Sequence, residues 1–137
     1  MDTSLIQATA LRTLAGTISF PDVVGTLQQA GVEYYHVDYV ALRQTFYADA
    51  GHAVVALPIP WADLPAVAAD FDAAGLQAAI RDSQQHGQSY RDFTRRAMAA
   101  GVHGYYAHLR GKRVLYLGRQ GDLHIEWFPG AAPTARL

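Results

Sequence analysis

Residues 19–38 read SFPDVVGTLQQAGVEYYHVD, and residues 89–108 read SYRDFTRRAMAAGVHGYYAH. Slid by 70 positions, the two stretches align their turn and cap residues, not merely their apolar ones: Ser19 on Ser89, Asp22 on Asp92, Ala30-Gly31-Val32 on Ala100-Gly101-Val102, Tyr35 on Tyr105. Each opens with S-x-x-D, in which the serine hydroxyl can accept an orphan backbone N–H and the acid suits the positive end of a helix. Helical spacing follows, through Val23, Val24 and Leu27 in one copy and Phe93, Ala97 and Met98 in the other. Gly31 and Gly101 then supply the left-handed residue that ends a helix. Each copy next enters a β-rich run, so a helix-to-strand joint occurs twice.

The same offset carries outward, setting Arg43 on Arg113, Phe46 on Tyr116 and Gly51 on Gly121, with Pro58 and Pro129 one residue out of step. Strands are expected at Tyr34–Tyr39, Thr45–Ala48 and Ala53–Leu57, matched by Tyr105–Leu109, Arg113–Gly118 and Leu123–Phe128. Turns at Ala41-Leu42, Asp49-Ala-Gly51, Arg110-Gly-Lys112 and Gln120-Gly-Asp122 separate them. A further helix precedes each unit, Thr3–Ala15 before Gly16 and about Phe71–His86 before Gly87. The reading is an α+β fold of one domain spanning residues 1–137, built as two α-α-β-β-β halves related by a pseudo-twofold axis, with four helices and six mainly antiparallel strands. The halves cover about 1–60 and 66–137, joined by a connector at 58–65 in which Pro58, Pro60 and Pro65 surround Trp61. Periodicity leaves open whether the strands make one sheet, two packed sheets or a partly closed barrel.

A chain of 137 residues with 50% hydrophobic and 17% charged residues has enough apolar surface for one core. It has no cysteine, which excludes disulfides, thiolate zinc and thiol redox chemistry, so a metal would need His, Asp, Glu or backbone oxygen. No run of 18 apolar residues is present, and Met1-Asp2-Thr3-Ser4 lacks the cationic start of a signal peptide, so a cytoplasmic protein without a membrane partner is expected. The net charge of −1 gives no overall pull toward nucleic acid. Locally, seven cations between Arg91 and Arg119 face one acid, Asp92, an excess of six, while the rest of the chain carries a negative excess of seven.

The second half resembles an uncharacterised bacterial and phage-associated family known as phage envelope-like or YbcV-like. The resemblance runs through Ala79-Ile80-Arg81, Ser89-Tyr90, Phe93, Ala100-Gly101-Val102, Tyr105, Leu109, Tyr116-Leu-Gly118, Gly121, Ile125-Glu126 and Phe128-Pro129. The first half follows more loosely through Ala30-Gly31-Val32, Tyr35 and Val37-Asp38. These are mainly structural residues, so the resemblance speaks for fold and supplies no activity, cofactor or catalytic residue.

Residues two apart on a strand share a face, so Tyr34, His36 and Asp38 point one way and Tyr35, Val37 and Tyr39 the other. The repeat sets Tyr106 and His108 at the places of His36 and Asp38. In the last strand His124 and Glu126 alternate with Leu123, Ile125 and Trp127, and the apolar set is expected to point inward. Candidate ligand-binding residues are therefore Tyr34, His36, Asp38, Tyr106, His108, His124 and Glu126, with Trp61 as a lid over a groove. With no H-E-x-x-H, G-x-S-x-G or P-loop spacing, the leading expectation is a non-enzymatic module whose aromatic and histidine-bearing sheet face meets a small molecule or a protein, alone or across a homodimer. No cofactor and no resident metal are assigned, and no catalytic residue is named. The alternatives are a metal-assisted hydrolase or isomerase using His36, His108 and His124 with Glu126 as base, and nucleic-acid binding through residues 91–119.

Overall fold

The computed structural model describes residues 1–133. Its elements run α1 (Thr3–Ala15), α2 (Phe20–Gln29), β1 (Val32–Asp38), β2 (Arg43–Ala48), β3 (Val54–Pro58), α3 (Ala73–His86), α4 (Tyr90–Ala99), β4 (Val102–His108), β5 (Arg113–Gly118) and β6 (Leu123–Trp127). The repeated caps form as their chemistry requires: Ser19 Oγ accepts from the Asp22 N–H at 3.3 Å and Ser89 Oγ from the Asp92 N–H at 3.1 Å. Asp2 and Asp72 cap α1 and α3 in the same way, at 3.0 and 2.9 Å. Asp72 is why α3 begins at Ala73, two residues later than the sequence pattern suggests. The proline-rich connector is also longer than expected, since no helix or strand lies between Pro58 and Ala73.

All six strands join one antiparallel sheet in the order β3-β2-β1-β4-β5-β6. The two meanders meet at β1 and β4, where Tyr34 pairs with His108, His36 with Tyr106 and Asp38 with Gly104. His36 and Tyr106 are equivalent in the repeat and pair with each other, so the pseudo-twofold axis pierces the sheet between them. Leu42 and Lys112, 70 residues apart, both sit at φ 55° in the two hairpin turns, a left-handed conformation that side chains with a Cβ adopt at a cost.

The helices cover one face only. Against them lie Tyr35, Val37, Tyr39 and Phe46 from the first half and Tyr105, Ala107, Leu109 and Tyr116 from the second, all buried among Ile6, Leu27, Leu76 and Met98. Five phenols gather in this core. The hydroxyls of Tyr90 and Tyr105 are 2.5 Å apart, and burial pushes the pKa of Tyr35, Tyr39, Tyr90, Tyr105 and Tyr116 up, so all remain neutral.

Candidate functional site

The face of the sheet turned away from the helices carries three cross-strand rows, read directly from the pairing. The first is Val54, Tyr47, Tyr34, His108, Arg113 and Trp127. The second is Ala56, Thr45, His36, Tyr106, Leu115 and Ile125, and the third is Pro58, Arg43, Asp38, Gly104, Leu117 and Leu123. In the first row Tyr34 stacks on Tyr47 at 4.6 Å and on His108 at 5.5 Å between ring centroids, and the Arg113 guanidinium lies 4.1 Å from the centre of Trp127. His36 stacks on Tyr106 at 4.3 Å in the second. The result is a ladder of stacked rings across the middle of the sheet. Beyond it, Ile125 and Leu123 are 42% and 53% exposed, where an antiparallel sheet with one solvated face would carry polar side chains.

The imidazoles here are held neutral. Partial burial lowers the pKa of His36, an effect that Asp38 opposes and His103 reinforces. Partial burial also lowers the pKa of His108, with Arg113 adding to the shift and Glu33 opposing it. Asp38 Oδ1 accepts from the backbone N–H groups of Val40 and Ala41, both at 2.9 Å, so this carboxylate also fixes the hairpin turn after β1.

Tyr34, His36, Asp38, Tyr106 and His108 therefore share one surface. His124 and Glu126 do not. They pair with Tyr116 and Val114 and so lie on the helix side, where His124 stacks on Tyr116 and its Nε2 is 3.1 Å from Glu126 Oε1. The expectation that the apolar set of β6 points inward is reversed: Leu123, Ile125 and Trp127 face outward with the aromatic ladder. The physical reason is that β6 is an edge strand whose inner face meets the aromatic rim of the core, where His124 and Glu126 satisfy each other. With the sheet between His124 and the pair His36 and His108, the ligand set of the metal-assisted alternative is not assembled. Among the described residues no group of three or more His, Asp or Glu side chains could hold a metal ion.

Trp61 lies elsewhere again. It is buried, packs 5.8 Å from Tyr90, and has the Arg91 guanidinium 5.7 Å from its centre. With Tyr39, Leu64, Met98, His103 and Arg119 it lines an open cleft of about 710 Å³ beside the connector, separate from the ladder. The cationic stretch is dispersed as well. Arg91 and Arg95 both engage Asp63, Arg96 engages Asp82, Arg110 engages Glu33, Arg113 covers Trp127, and Arg119 donates to the Val67 carbonyl. These cations meet acids and carbonyls of the chain itself on several surfaces, which is not the continuous basic stripe that phosphate tracking requires. No helix among the described residues is long and apolar enough to cross a membrane.

Sequence reasoning missed Leu115, Leu117, Leu123 and Ile125 as surface residues. The repeat could not have found Ile125, because the sheet register sets it at the place of Ala56, an offset of 69, whereas the prolines at 58 and 129 slip the alignment the other way.

The chain is similar to uncharacterised proteins of Mycobacterium tuberculosis and Mycobacterium bovis, each 27% identical over 128 residues, covering 93% of this chain and 77% of the relative. No family model matches. The similarity is thus to uncharacterised bacterial proteins and spans both halves of the repeat.

Proposed function

We propose that this protein is a non-catalytic binding module whose contact surface is the open sheet face centred on Tyr34, His36, Tyr106 and His108. One observation carries the reading: the face opposite the helices joins a stacked aromatic ladder to exposed Leu123 and Ile125. Aromatic rings with few freely rotating bonds lose little entropy on contact, and exposed aliphatic side chains beside them gain by leaving water. Asp38 supports the surface by fixing the turn at its border. The phage-associated resemblance fits a module of this kind without naming what it meets.

Hydroxyl-radical footprinting of the protein in the cell tests the reading. Tyr34, Tyr106 and Trp127 should be strongly protected relative to Leu11, which is 67% exposed on the far side of α1. Open-face side chains that react at the rate set by their exposure in the isolated fold would refute it.

A further inference from the structure

We infer that the occupant of the open face is a second copy of this chain, docked sheet to sheet about a twofold axis that runs across the strands along the row from Ala56 through His36 and Tyr106 to Ile125. This rests on the reading of that face as the contact surface.

The first argument is area. Six strands about 4.8 Å apart, with five residues each at about 3.3 Å, give a flat footprint of about 500 Å² before side-chain relief is counted. A standard interface takes about 800 Å² and twenty to thirty residues from each partner. The eighteen residues of the three rows, Gly104 among them, approach that range only if the whole face is covered. A small molecule or one added peptide strand leaves most of it bare. A second sheet of the same outline covers it, since face-to-face sheets pack about 10 Å apart with strands nearly aligned.

The second argument is self-complementarity, which a twofold interface demands. An axis along the middle row lays the first row of one copy on the third row of the other. Tyr34 then meets the carboxylate side of Asp38, Tyr47 meets Arg43, and Trp127 meets Leu123, while His108 meets the bare backbone at Gly104. Arg113, whose guanidinium is already held over Trp127, meets Leu117, and Val54 meets Pro58. The middle row meets itself, which sets Leu115 and Ile125 on their own copies and buries the apolar half of the face against the apolar half. An axis along the strands instead crowds His108 on Tyr34 and Tyr106 on His36, and it lays Ile125 on Ala56 and Leu123 on Pro58, so the apolar half no longer meets itself.

Sedimentation of the purified full-length chain and single-thiol cross-linking test this together. Wild type should sediment at twice its 14.9 kDa. Ile125→Asp, which faces its own copy with two carboxylates, should weaken the dimer by about a hundredfold or more and give a folded monomer by circular dichroism. Leu123→Lys provides a second variant should that one fail to fold, and Leu11→Asp on α1 should keep the doubled mass. Because the chain has no cysteine, Tyr106→Cys and Ile125→Cys each introduce a unique thiol. Both should be joined to their own copies by a bis-maleimide spanning about 10 Å. Joining at Ile125→Cys alone would mean edge-to-edge pairing of β6, and joining at Tyr106→Cys alone would mean an axis along the strands; either result overturns the proposal. A monomeric wild type whose open face is nonetheless protected in the cell overturns the second copy and leaves the binding surface standing. A monomer whose face is unprotected in the cell overturns both.

Discussion

Gly104→Ala should be among the most damaging small substitutions in this protein. Gly104 lies in β4 at the seam between the two halves, opposite Asp38. A Cβ added there would be 2.5 Å from the Val37 carbonyl oxygen and 3.5 Å from both the Asp38 Cα and His36 Nε2. Carbon and carbonyl oxygen settle no closer than about 3.3 Å across a sheet, so β4 must retreat from β1 by roughly 0.8 Å. The flanking bond from the Tyr39 N–H to the His103 carbonyl, now 3.0 Å, would stretch beyond useful length. Losing one or two such bonds at about 1 kcal/mol each, together with disturbed packing behind them, gives about 2–3 kcal/mol. For a domain of this size that lowers the melting temperature by about 6–12 °C. Gly25→Ala is the internal control, since Gly25 lies within α2 and an added Cβ there meets nothing within 4 Å. It should stabilise by about 0.5–1 kcal/mol. Thermal and urea unfolding of both variants measures the contrast. A Gly104→Ala protein within about 0.5 kcal/mol of wild type would show that the seam yields freely, and the close-approach argument would be wrong.

Other expectations follow from the repeat and the site. Ser19→Ala and Ser89→Ala should each cost about 1 kcal/mol and add in the double variant, because the two caps do equivalent work at separate helices; unequal losses by urea titration would mean that one cap is satisfied from elsewhere. Lys112→Gly should stabilise by about 0.5 kcal/mol by relieving the left-handed backbone of an exposed turn, and a loss of stability would show that the turn carries no strain. The folded pKa values of His36 and His108 lie below the ordinary imidazole value of 6.5, so the unfolded chain takes up protons first. Their stabilising contribution is present above about pH 6.5 and is lost as the pH falls through the folded values. Between about pH 7.5 and 5.5 the melting temperature should fall more steeply in wild type than in the His36→Gln/His108→Gln double variant, and a shallower fall in wild type would reverse the assigned sign.

The scaffold was legible in the sequence because its signals are local. The serine caps, the glycines that end α2 and α4, and the hairpin turns all depend on residues within one turn of the chain, and the 70-residue offset places each of them twice. The joining of both meanders into one sheet was not legible, since pairing of β1 with β4 is decided by which strands the helices leave free to meet. The orientation of β6 failed for a related reason. Alternation tells which residues share a face but not which face looks toward the helices, and Leu123, Ile125 and Trp127 satisfy the rule for an inner set while lying outside. Gly104 carried no signal either: its role is visible only once the Val37 carbonyl is seen beside it.

That orientation bears on function through a comparison the duplication makes available. On the helix side the central equivalent positions keep buried apolar or aromatic side chains, with Tyr35 and Tyr105, Phe46 and Tyr116, and Val37 and Ala107 all buried, and the halves differ there only toward the outer strands, where Gln44 answers to Val114 and Leu57 to Glu126. A shared core fixes volume there, because voids and overfilling both cost stability. On the open side the halves diverge: Thr45 against Leu115, Ala56 against Ile125, Tyr34 against Gly104. Neither folding nor the pseudo-twofold axis demands Leu115, Leu117, Leu123 and Ile125 on that surface, since the first half makes the same scaffold with smaller or more polar residues there. Apolar side chains that the scaffold does not need, gathered beside an aromatic ladder on one half of one face, are most simply explained by something that covers them. A cover that spans the full sheet and opposes Gly104 with a bulky ring is what a second copy of the sheet supplies.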